Sequence, residues 1–94
     1  MQKILQDLEK IAHFAKSGSE KEVLDAIKTA RESIRAIGGA VGAQLIAPLQ
    51  ELDLELSVWQ SKLPVIWKEI VGRQGMVKHA AHWAEKLRES WQTK

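Results

Sequence analysis

The 94 residues contain no cysteine and no tyrosine, one phenylalanine and two prolines. Without thiols there is no disulfide framework and no thiolate chemistry, and a zinc site would have to be assembled from histidine and carboxylates. The same lack fits a cytoplasmic protein, which is the expected localisation. The longest uncharged stretch, residues 36–50, falls short of the ~20 residues that a membrane-spanning helix needs, and Pro48 interrupts it. No secretory signal is read near the start, because Lys3, Asp7, Glu9, Lys10 and Lys16 are mixed into the first apolar pattern.

What is present reads as one globular domain over residues 1–94, with 45% apolar and 28% charged side chains. Net charge is only +2 but unevenly spread. Residues 38–61 carry three acidic groups (Glu51, Asp53, Glu55) and no basic one, whereas residues 62–94 carry seven basic and three acidic groups. The simplest arrangement packs the acidic segment beside the basic one; the alternative is a basic surface for an acidic partner.

The dominant pattern is an apolar stripe stepping by four and three: Leu45, Leu49, Leu52, Leu56, Trp59, Leu63, Ile66, Ile70, Val77, Ala80, Ala84, Leu87 and Trp91, broken only by Arg73. That spacing keeps side chains on one face of an α-helix. Earlier in the chain Ile4, Leu8, Ile11 and Ala15 form one such row, and Val23, Ile27, Ala30, Ile34 and Ile37 another. The predicted fold is therefore all-α: a four-helix, mostly antiparallel bundle whose last helix is longest and kinked.

Boundaries follow from local chemistry. Helix 1 is predicted over residues 2–16 and ends at Ser17-Gly18-Ser19, with Gly18 suited to a left-handed C-terminal cap. Ser19 and Glu22 have the spacing of a capping box and start helix 2, which runs to Ile37. Residues 38–43, rich in glycine and alanine, are read as a turn, with helix 3 starting between Ala40 and Ala47 and Pro48 in its first turn. The alternation in Leu52-Asp53-Leu54-Glu55-Leu56-Ser57-Val58 resembles a strand. The surrounding four-three register and the strong helix formers Leu and Glu favour a helix with a second apolar face at Leu54 and Val58. Pro64 places the next corner at Lys62-Leu63, and Gly72 and Gly75 predict a kink or short break in helix 4.

No catalytic constellation emerges, and the chain is expected not to be an enzyme and to need no cofactor or metal. His79 and His82 have metal-compatible spacing but face outward beside Lys78 and Lys86, whose charge opposes a bound cation. The serines lack a Ser/His/Asp context, and no phosphate loop follows a strand. The off-stripe residues Leu54, Val58, Trp67, Val71 and Trp83 are more apolar surface than a small bundle uses. They predict a non-enzymatic module acting through protein–protein association, as a homodimer or with another protein. Leu54→Glu is expected to leave such a chain helical but monomeric. The alternative is binding of nucleic acid or an anionic surface through Lys68, Arg73, Lys78, Lys86 and Arg88, with Trp67 and Trp83 interleaved.

Overall fold

A computed structural model describes residues 2–37 and 43–92, all but the link positions helical. The order is α1 (Gln2–Ser17), α2 (Glu20–Ile37), α3 (Ala43–Lys68) and α4 (Ile70–Gln92). The turn expected at residues 38–43 lies, except for Ala43, outside the described residues. Each helix packs on its two neighbours in a closed ring, α1 against α2 and α4, and α3 against α2 and α4. Cross-helix pairs show the direction. Asp7 meets Ser33, Glu9 meets Arg88, Glu51 meets Lys86 and Glu55 meets His79, so partners run in opposite senses along every pair they join. The molecule measures 40 × 20 × 17 Å, its long axis set by α3, whose 26 residues rise about 39 Å.

The core is aliphatic: Ile4, Leu8 and Ile11 from α1, Val23 and Ile27 from α2, Leu45, Leu52, Leu56 and Leu63 from α3, and Ala80 and Leu87 from α4 are all but sealed from solvent. Among the described residues its one buried charged group is Asp7, on the apolar face of α1 between Ile4 and Ile11. The Ser33 hydroxyl donates to its Oδ2 at 2.9 Å, and Lys3 Nζ lies 4.0 Å from Oδ1. A buried carboxylate is tolerated when it is paired in this way.

The first link forms as its sequence predicts. Ser19 Oγ accepts from the Glu22 N–H at 3.2 Å, Glu22 Oε1 accepts from the Ser19 N–H at 3.0 Å, and the Ser19 carbonyl takes the first helical bond from Val23. Gly18 serves a different purpose from the one expected. Its φ lies outside the left-handed range; a Cβ there would stand 2.9 Å from the Phe14 backbone, so the residue is small to allow close approach.

The second half departs from expectation in five ways. Helix α3 does not turn at Lys62-Leu63 but continues through Pro64 to Lys68, and Pro48 lies beyond the first turn. Each internal proline forfeits one helical bond, at a cost of ~3 kcal/mol or more in an unsupported helix. Burial of Leu63 and packing of Ile66 and Trp67 on the core hold the last turn in place regardless. The corner instead falls at Glu69, whose N–H bonds the Ile66 carbonyl at 3.3 Å before its own carbonyl takes the Arg73 N–H at 3.1 Å. Gly72 does not break α4: a Cβ there would sit 2.6 Å from the Ile66 oxygen, so the glycine lets the first turn of α4 pass under the end of α3. Helix α4 runs unbroken through Gly75 as well, and α3, not α4, is the longest helix.

The fifth difference is rotational. The buried face of α4 is Met76, Ala80, Trp83, Ala84 and Leu87, turned by roughly half a residue step from the predicted row. Ile70 and Trp91 are consequently exposed, and Val77 is half-buried. Two large side chains, Met76 and Trp83, bury more apolar area in this orientation than Val77 and Ile70 would in the other.

Candidate functional site

Helix α3 is apolar on two opposite sides. Leu45, Leu49, Leu52, Leu56, Trp59 and Leu63 face the core. Leu54, Val58 and Val65 point about 160° away from them, and no other described helix covers that side: they are 68%, 46% and 67% exposed. The step 54, 58, 61, 65 carries no charge, the remaining position being Ser61. Ile46 is also exposed, nearer the start of the same helix. Val65 was missed by sequence reasoning because a corner at Pro64 placed it on another helix; with α3 continuous, its seven-residue spacing from Val58 is plain.

The five apolar residues singled out from sequence do not share one surface. Leu54 and Val58 belong to the outer row, and Val71 is exposed at the start of α4. Trp67 packs partly buried on the core, with the Arg73 guanidinium 5.2 Å over its ring. Trp83 is a core residue, 8% exposed, and presents almost no surface to a partner. Its indole N–H donates to Glu55 Oε2 at 2.5 Å, a buried donor satisfied across the α3–α4 seam.

That seam joins the acidic and basic segments directly. Glu55 Oε1 lies 3.1 Å from His79 Nδ1, and His79 meets the Trp59 ring edge-on at 6.5 Å between centroids. Lys86 reaches Glu51 at 3.9 Å while lying 4.9 Å over Trp83, and Arg88 turns to Glu9 of α1 at 3.4 Å. On the other side, Arg31 of α2 donates to Asp53 at 3.1 Å and to Gln60 at 2.8 Å, two turns apart on α3. The five cations proposed for an anionic partner are therefore divided: Lys86 and Arg88 are committed to intramolecular glutamates, while Lys68, Arg73 and Lys78 have no carboxylate partner among the described residues.

Among the described residues no group of three or more His, Asp and Glu side chains is placed to hold a metal ion. His82 is exposed, three residues from a His79 already paired with Glu55. No described helix is long and apolar enough to cross a membrane. Compared with protein-family models, curated proteins and solved structures, the chain matches none.

Proposed function

We propose that this chain is a non-enzymatic association module that pairs with a second copy of itself along the outer face of α3. The observation that carries the reading is the uncharged row of Leu54, Val58, Ser61 and Val65 on a helix whose other side is already buried. Exposed apolar rows of this kind mark contact surfaces more often than isolated exposed side chains do. The steps along the row, four, three and four, read the same in both directions. That symmetry suits an isologous contact, in which a two-fold axis sets the row against itself with residue i meeting residue j and residue j meeting residue i. Antiparallel pairing of two such helices stacks Leu54 on Val65 of the second copy, and Val58 on Ser61.

The row spans about 16 Å of helix, short for a standard interface, so the dimer is expected to be of moderate affinity and to dissociate on dilution. Leu54→Glu places a charge at its end and is the direct test. Circular dichroism should match the parent chain, since Leu54 supports no internal packing, while sedimentation should show only monomer. An unchanged dimer in that variant removes α3 as the interface; a dimer lost together with the helical signal shows that Leu54 is structural.

A further inference from the structure

At the end of the bundle where α1 finishes and α4 begins, a groove of about 660 Å³ runs between the two helices. Its wall combines three cations, Lys16, Arg73 and Lys78, with the apolar side chains of Ile70 and Val77, and no carboxylate lines it. Three cations at other helix seams meet a glutamate or aspartate: Lys86 with Glu51, Arg88 with Glu9, Arg31 with Asp53. Here, none of the three has a carboxylate partner among the described residues. Ile70 is exposed beside them, turned off the buried face of α4.

We propose that this groove takes an acidic, amphipathic peptide segment of another protein, whose apolar side chains cover Ile70 and Val77 while its carboxylates meet Lys16, Arg73 and Lys78. Charge complementarity selects this occupant. A purely apolar ligand would leave three ammonium and guanidinium groups desolvated without partners. On a second copy of this chain Glu51, Asp53 and Glu55 of the acidic helix are each engaged internally, so α3 does not supply the matching face. Mixed apolar and basic lining is the setting in which an amphipathic helix docks in a groove and is held in register by its charges. The proposal is independent of the α3 interface.

A dye-labelled synthetic helical peptide carrying leucine and glutamate on one face, titrated with the full chain and followed by fluorescence anisotropy, tests it. Saturable binding of one peptide per chain is expected. Replacing the peptide's glutamates by glutamine, or introducing Lys16→Glu with Lys78→Glu, should weaken binding about ten-fold or more. Lys28→Glu, on the exposed side of α2, and Leu54→Glu should leave binding unchanged. If the double reversal disturbs the helical signal, Lys16→Gln with Lys78→Gln poses the same question at lower risk. The proposal is overturned by absence of saturable binding, by equal binding of the glutamine peptide, or by an equal loss with Lys28→Glu. Tighter binding of phosphatidylglycerol vesicles or a single-stranded oligonucleotide at the same salt concentration, lost with the same groove substitutions, would also overturn it and assign the groove to a polyanion.

Discussion

Glu55 is the residue on which the α3–α4 seam turns, because one carboxylate accepts from the Trp83 indole and meets His79. Removing it should expose the asymmetry between losing a charge and orphaning a buried donor. Glu55→Gln keeps an acceptor for the indole and should cost little. Glu55→Ala leaves the Trp83 N–H unsatisfied in the core and should cost about 1–3 kcal/mol in urea unfolding. Equal losses for the two variants would mean that the indole is not held there. Sequence reasoning could not find this contact, since it requires Trp83 to point inward, and a rotation of half a residue step decides that. Asp7 was more accessible: three residues after Ile4 and four before Ile11, it sits in phase with the α1 stripe. What the pattern could not supply was the hydroxyl of Ser33, from another helix, that makes its burial tolerable.

At the scale of elements, the start of α2 was legible to the residue because a capping box is a local device: both of its hydrogen bonds close within four residues. The α3–α4 corner was not, because two local signals were overruled by packing. Pro64 argued for a corner that burial of Leu63 and anchoring of Trp67 prevent. The glycine pair argued for a kink or short break; α4 has no break, and only one of the two glycines is needed, for clearance against another backbone. The pair therefore separates the two roles. Gly72→Ala drives a methyl group to 2.6 Å from the Ile66 oxygen and should lower stability by more than 1 kcal/mol through backbone displacement. Gly75→Ala meets nothing within 4 Å and should raise stability by about 0.5–1 kcal/mol, the ordinary gain of alanine over glycine in a helix. Thermal unfolding of the two variants side by side gives opposite signs if the corner is built as described, and the same sign if it is not.

For the whole molecule, hydrophobic periodicity was enough to give four antiparallel helices, and charge distribution anticipated the acidic helix lying against the basic one. The division between internal and external apolar surface was not legible, because a second stripe on α3 reads the same whether another helix or another molecule covers it. The ring of α1, α2, α3 and α4 leaves Leu54, Val58 and Val65 outside, the face proposed as the self-interface. Absolute mass in solution, by light scattering after gel filtration over a range of loading concentrations at low and high salt, tests it most directly. The prediction is a mass that climbs from 10.6 kDa toward twice that value as concentration rises, with little change on adding salt, since apolar contact is not screened. A mass fixed at that of the monomer at every concentration, or an association that salt abolishes, would contradict it.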